Sequence, residues 1–170
     1  IDVGGIEYDA KFVFETIGYN LEGNELGAAF GLTQLKSLDN NIKIREENFK
    51  TQNEFFSKLR DYFIIPKQMA NSKTGWLAYP ILIKESASFS RKEFQIYLEK
   101  RNIQTRVVFT GNIIRQPMMK NVQFKSNDFG YPNSDAVMER GVLLPLHHGM
   151  TNSMFERLHE TINEFVLDKN

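Results

Sequence analysis

Three short segments hold residue types that could do chemistry. The first, Gly18-Tyr19-Asn20-Leu21-Glu22-Gly23-Asn24-Glu25-Leu26-Gly27, stands just ahead of an apolar-periodic stretch. Backbone N–H groups at a helix start, with Asn side chains beside them, can hold a phosphate. An ordinary turn and helix cap has the same composition and is commoner, so spacing alone favours the ordinary turn. The second segment, Thr105 to Pro117, delivers Gly111, Asn112, Arg115 and Gln116 from the end of a β-branched run into a loop. Loops at strand ends carry binding groups, and Arg115 could take a phosphate or carboxylate in two-pronged fashion. A solvated Arg on a polar turn is an equally good account. The third, Pro145-Leu146-His147-His148-Gly149, sets two His side by side. Neighbouring His side chains point apart, and no His pair has the i, i+4 spacing of a helical metal site. No metal site is expected, and one His touching a substrate hydroxyl or phosphate is the most the segment supports. His159 reads as a surface residue. No Gly-x-Ser-x-Gly elbow, P-loop or dinucleotide fingerprint occurs, and no residue in the chain is put forward as catalytic.

These segments need elements to position them. Residues 1–20 lack a helical period and carry Gly4, Gly5 and Gly18, which predicts an extended arm. Asn24 caps a helix with Leu26, Ala29, Phe30 and Thr33 on one face, and Leu38 to Asn41 predict a break or kink. Ile42, Phe49, Phe56 and Phe63 then recur every seven residues, which predicts one helix running to a stop at Pro66. Trp76 to Ile83 reads as a strand, with Pro80 indicating an edge position or a bulge. Ser90-x-x-Glu93 is a capping box opening a helix with Phe94, Tyr97 and Leu98 inward. Thr105 to Phe109 reads as a strand. Ser134 caps a short helix that ends at Gly141, Val142 to Leu146 is a strand, and Thr151 caps a last helix with Phe155, Leu158, Ile162 and Phe165 on one face. Three strands among several helices predict an α/β domain of the α+β kind, a small mostly antiparallel sheet with helices packed on one side.

Composition narrows the function classes. The 170 residues fit one domain plus an arm, with 41% hydrophobic residues to build a core. Lys+Arg and Asp+Glu are equal at 21 each, so the basic surplus that nucleic-acid or anionic-membrane binding draws on is absent. Without cysteine there is no disulfide framework, thiolate metal site or thiol nucleophile. No apolar run approaches the roughly 20 residues that span a bilayer. A cytoplasmic setting is the expectation, with neither nucleic acid nor membrane as a partner.

Gly18-Tyr19-Asn20 followed by Glu25 to Leu35, Glu-Leu-Gly-Ala-Ala-Phe-Gly-Leu-Thr-Gln-Leu, resembles the signature that opens the C-terminal domain of the DegT/StrS-type sugar aminotransferases, which use pyridoxal phosphate on nucleotide-linked sugars. The resemblance runs through essentially the whole chain. Thr105-Arg106, Phe109, Gly111-Asn112, Arg115-Gln116-Pro117 and the later Leu144-Pro145-x-His147-His148-Gly149 are similar to the 3-dehydratase branch, which removes the C3 hydroxyl of a nucleotide-linked 4-keto-6-deoxyhexose. Two positions depart from the family pattern: Glu22, where a basic residue is common, and Gly27, where Gln or Asn is common.

The resemblance implies the small C-terminal domain of a fold-type-I pyridoxal-phosphate transferase, with residues 21–170 as that domain and residues 1–20 an arm left over from the large cofactor domain. It implies that Asn20 reaches the cofactor phosphate and that Asn112, Arg115, Gln116 and His148 face the sugar nucleotide. The full-length parent is expected to use pyridoxal or pyridoxamine phosphate, to act on a nucleotide-linked 4-keto-6-deoxyhexose in deoxysugar or lipopolysaccharide synthesis, and to be a homodimer. The position that separates the branches, Lys in aminotransferases and His in dehydratases, would lie upstream of Ile1. An aminotransferase parent and a non-catalytic dimerisation or binding module are the alternatives. The 170 residues alone are expected to be inactive and to bind no cofactor.

Overall fold

The computed structural model describes residues 1–19 and 23–169. Strands β1 (Asp2–Val3) and β2 (Ile6–Glu7) pair antiparallel across Gly4 and Gly5, whose φ angles are +60° and +85°. Positive φ at both turn residues matches the twist of a tight hairpin, which is why two glycines stand there. One 3-10 turn follows at Ala10–Phe12, with the Asp9 carboxylate accepting from the Lys11 N–H. The first 14 residues therefore hold a hairpin and a turn rather than plain extended chain.

Helix α1 (Glu25–Leu35) begins at Asn24, whose Oδ1 accepts from the Gly27 N–H at 2.7 Å. None of its residues is buried: Leu26, Phe30 and Leu35 are 86%, 68% and 62% exposed. Helix α2 (Leu38–Phe56) starts immediately after, so the break falls at Lys36–Ser37 and Leu38 to Asn41 form the first turn of α2. Asp and Asn are read as breakers in a helix interior, but at a first turn Asp39 sits where the helix dipole favours an anion. Helix α2 stops at Phe56. After a 3-10 turn at Ser57–Leu59, Phe63 belongs to strand β3 (Phe63–Ile64) rather than to the helix. The seven-residue repeat misleads here because the core asks only that Phe63 face inward, and the Phe63-Ile64-Ile65 run does so as a strand.

Strand β4 (Ala78–Ile83) starts two residues later than the sequence suggested. Trp76 stays outside it, stacked on Phe49 with ring centroids 4.1 Å apart. Helix α3 (Arg91–Glu99) has its full capping box: Ser90 Oγ accepts from the Glu93 N–H, and the Ser90 N–H donates to Glu93 Oε2. Strand β5 is only Arg106–Val107. The Thr105 N–H leaves the ladder to donate to Glu99 Oε1 at 2.6 Å, and Phe109 turns into the left-handed region at φ +45°. β-branched composition marks a run that can extend, but these two local events cut it short. Helix α4 (Pro132–Arg140) has Tyr131, not Ser134, at its N-cap position with no side-chain cap, and Pro132 at its first position, where a missing N–H costs nothing. Strand β6 (Gly141–Pro145) and helix α5 (Asn152–Leu167), capped by Thr151, complete the fold.

The main sheet has four strands in the order β3-β4-β6-β5, all antiparallel. Pro80 therefore lies in an inner strand. It is tolerated because β3 pairs only with Leu82 and Ile83, leaving the Pro80 stretch of β4 paired to β6 alone. Tyr79 faces Leu144 and Ile81 faces Val142 across β4 and β6, so alternate residues share one face. That face meets Phe49 and Phe56 of α2, Phe94 and Leu98 of α3, and Leu158, Ile162 and Phe165 of α5. The result is a small antiparallel sheet with helices packed on one side. A second cluster joins Val3 and Tyr8 of the N-terminal segment to Val107 and Met138. Among the described residues no helix is long and apolar enough to cross a membrane.

Candidate functional site

The second chemical segment folds around one carboxylate. Arg115 Nη2 donates to Asp135 Oδ2 at 2.8 Å, its Nε donates to Oδ1, and Asn112 Nδ2 donates to the same Oδ1 at 2.7 Å. The Arg115 guanidinium holds the Asp135 carboxyl below the usual carboxylate range, and Asp135 in turn raises Arg115. Asn112 Oδ1 caps the following 3-10 turn by accepting from the Ile114 N–H. Gln116 is 1% exposed, with Nε2 donating to the Phe12 and Thr110 carbonyls and Oε1 accepting from the Phe14 N–H. Arg115 Nη1 donates to the Gly4 carbonyl at 3.1 Å.

Asn112, Arg115 and Gln116 are thus brought together, as their spacing suggested, but their polar atoms are largely turned onto the protein. Asn112 is 4% exposed. Among the described residues Arg115 uses three of its five guanidinium N–H donors, leaving one on each terminal nitrogen. His148 stands apart from the three. It is exposed, and Arg45 Nη2 of α2 donates to its Nδ1 at 3.3 Å. An arginine only donates, so Nδ1 accepts and the imidazole proton resides on Nε2. Asn48 and Gln52, farther along α2, donate to the His147 and Pro145 carbonyls and hold this loop against the helix. Asn20 lies outside the described residues.

His159 is half-buried rather than a free surface residue. Its ring stacks on Phe55 with centroids 3.8 Å apart and 3° between planes, and its Nε2 meets Gln52 Oε1 at 2.9 Å. Burial, followed by the Lys58 charge, lowers its pKa to about 4. Between about pH 4 and the ordinary value near 6.5, the unfolded chain takes up a proton that the folded chain refuses. The stabilisation is therefore complete above that range and falls as the pH drops through it. Allowing for partial solvent screening, the expected loss by pH 4 is about 1–2 kcal/mol. Urea melts from pH 7 to pH 4 should show this slope, and His159→Phe, which keeps the stack on Phe55, should remove most of it.

A cleft of about 940 Å³ runs between the β2 segment, α3 and β5, lined by Glu7, Tyr8, Arg91, Lys92, Gln95 and Arg106 among others. None of the four residues expected to face the sugar nucleotide lines it. Sequence reading also passed over Asp135 and Tyr8. The Tyr8 hydroxyl donates to the Phe109 carbonyl at 2.7 Å and lies 3.1 Å from that of Val108, and burial raises its pKa to about 12. The available signals were an acid in the first turn of a helix and one aromatic among several in the N-terminal arm. Neither names a partner 20 or 100 positions away.

A family model described as the DegT/DnrJ/EryC1/StrS aminotransferase family matches residues 1–163. The chain belongs to this family. It is 35% identical over 159 residues to a dTDP-4-dehydro-2,6-dideoxy-D-glucose 3-dehydratase of Saccharopolyspora spinosa, covering 94% of the chain and 34% of that protein. It is 28% identical over 158 residues to the lipopolysaccharide biosynthesis protein RfbH of Salmonella typhimurium, covering 93% of the chain and 36% of that protein. Among solved structures, the Escherichia coli GDP-4-keto-6-deoxy-D-mannose-3-dehydratase with bound hydrated pyridoxal phosphate superposes with a TM-score of 0.74 at 23% identity, over 94% of the chain and 41% of that one. The family's sugar dehydratase and aminotransferase members share this fold, and the chain spans about a third of the length of the curated relatives it matches.

Proposed function

We propose that the chain is the C-terminal small domain of a pyridoxamine- or pyridoxal-phosphate-dependent 3-dehydratase acting on a nucleotide-linked 4-keto-6-deoxyhexose in deoxysugar or lipopolysaccharide synthesis. The observation that carries this reading is the 35% identity to a 3-dehydratase over 94% of the chain. The apolar helix α1, with no residue buried by the rest of the chain, supports the view that further polypeptide covers it. On this reading residues 1–20 are an arm continuing from a large cofactor domain, residues 21–170 are the small domain, the parent is a cytoplasmic homodimer, and the isolated chain is inactive.

The start of α1 suits an anionic cofactor group. Asn24 already satisfies the Gly27 N–H, and the N–H groups of Glu25 and Leu26 occupy the first turn, where a helix provides no acceptors of its own. Asn20 and this turn hold the cofactor phosphate. When bound, the cofactor supplies the electron sink that lets a hydroxyl beside the keto carbon leave. Arg115, through its two spare donors, and His148, through Nε2, face the sugar nucleotide. Asn112 and Gln116 act on the same ligand by shaping the loop that presents Arg115.

The parent protein, supplied with pyridoxamine phosphate and CDP-, GDP- or dTDP-4-keto-6-deoxyhexose, should yield a product lacking the C3 hydroxyl, read by mass spectrometry. The family also contains aminotransferases, which favours one second reading. An amino sugar formed with glutamate as donor, with no deoxygenation, would establish that reading instead, and neither product would overturn both.

A further inference from the structure

Phe109 stands in a conformation that its residue type disfavours. Its φ is +45°, a region that glycine enters freely, asparagine enters at little cost and a bulky aromatic avoids. Among the described residues Asn102 is the other non-glycine position with positive φ, just past the end of α3, where such a residue is ordinary. Phe109 is the second residue of a tight turn, closed by the Gly111 N–H donating to the Val108 carbonyl at 2.9 Å. Turns with positive φ at that position draw on Gly, Asn and Asp.

The surrounding structure holds Phe109 there. Its own N–H donates to the Val107 carbonyl at 3.0 Å. The Tyr8 hydroxyl donates to its carbonyl at 2.7 Å and lies 3.1 Å from that of Val108, and Gln116 Nε2 donates to the Thr110 carbonyl at 2.9 Å. Tyr8 and Gln116 are both buried, so these anchors are fixed. The backbone is thus pinned while the ring is 64% exposed. Core packing does not account for a strained aromatic that the domain leaves in solvent. Strain of this kind persists where the surrounding structure over-determines it, and it gathers at ligand sites.

The ring belongs to the same loop as Arg115, whose two remaining N–H donors suit a diphosphate. A nucleotide-linked sugar carries a planar base beside its diphosphate, and an aromatic face stacks on any base. We propose that Phe109 binds the base of the nucleotide-linked sugar, stacking its ring on the base while Arg115 takes the diphosphate. The substrate class rests on the functional reading above, and the fixed placement of the ring rests on the described turn.

The test uses the full-length holoenzyme. CDP, GDP and dTDP are titrated into the unaltered protein by calorimetry, and the tightest binder of the three is then titrated into the variants. Phe109→Gly removes the ring and relieves the turn. Its affinity should fall about tenfold, the size of one base–aromatic stack, while its melting temperature stays level or rises, because glycine enters this region freely. Phe109→Leu keeps apolar bulk without a π face and should lose affinity to the same extent, which also serves if Phe109→Gly does not fold. Phe109→Trp should keep the affinity. Unchanged affinity in Phe109→Gly, or Phe109→Leu binding as tightly as the unaltered protein, overturns the proposal. So does a melting temperature several degrees lower in Phe109→Gly, which would mean that the ring packs against the rest of the parent polypeptide. If the unaltered protein binds none of the three nucleotides, the functional reading fails and this proposal falls with it. If it binds one and Phe109→Gly binds it equally well, the functional reading stands and only the stacking role falls.

Discussion

Phe56→Ala should cost about 3–5 kcal/mol of folding stability. Phe56 is 0% exposed and sits among Phe55, Phe63 and Tyr79 with ring centroids 5.1, 5.4 and 5.3 Å away. Its removal opens a cavity where α2, β3 and β4 meet, and neither the helix nor the inner strand can shift to fill it. Against a typical net stability of 5–15 kcal/mol this is a large fraction, and a thermal melt should drop by on the order of 10 °C. The neighbouring Phe55→Ala is the internal comparison. Phe55 is half-buried and stacks on His159 near the surface, so its loss should be near 1 kcal/mol, the worth of a single aromatic pair. Equal losses at the two positions would mean that the inward face of α2 has been assigned to the wrong residue.

The second large effect is expected at Gly111. Its φ is +62°, and a Cβ there would stand 2.4 Å from Met138 Cγ and 2.9 Å from Met138 Cα. The side-chain atom could move, but the backbone atom belongs to α4 and cannot move without shifting the helix. Gly111→Ala should therefore combine the left-handed backbone penalty, roughly 1 kcal/mol, with an overpacking cost of about 1–3 kcal/mol. Because Asn112 follows directly and Asp135 lies one turn before Met138, the same shift should separate Asn112 and Arg115 from their carboxylate. Equilibrium urea unfolding measures the first effect and protease sensitivity at Lys11 the second. Gly130→Ala provides the contrast: its φ is +68°, but nothing stands within 4 Å of the added carbon, so only the backbone penalty should appear.

What could be read from the chain beforehand followed the range of the interaction involved. The capping box at Ser90 and Glu93, the cap at Asn24 and the apolar face of α5 were all legible, because each is a relation between residues within a few positions of one another. Phe63 was legible as core and not as strand: periodicity reports which way a side chain faces, and a helix and a strand can point the same residue inward. His159 was misjudged because a lone His on an amphipathic helix says nothing about Phe55 and Gln52 arriving from another helix to bury it.

The candidate site divides along the same line. Asn112, Arg115 and Gln116 stood out by type and spacing. Their amide and guanidinium groups turned out to be largely engaged by Asp135, by the Thr110 carbonyl and by the backbone of residues 4–14. By itself the sequence determined the starts of α1, α3 and α5, the inward aromatic faces and the family, since these are carried by local hydrogen bonding, side-chain periodicity and motif residues close together in the chain. Only the tertiary structure decided that an acid at position 135 organises the 112–116 loop, that the loop clamps the N-terminal segment, and that α1 is left uncovered. Those outcomes depend on which distant surfaces meet, and a hydrogen-bonding side chain carries no mark of the partner that folding will give it.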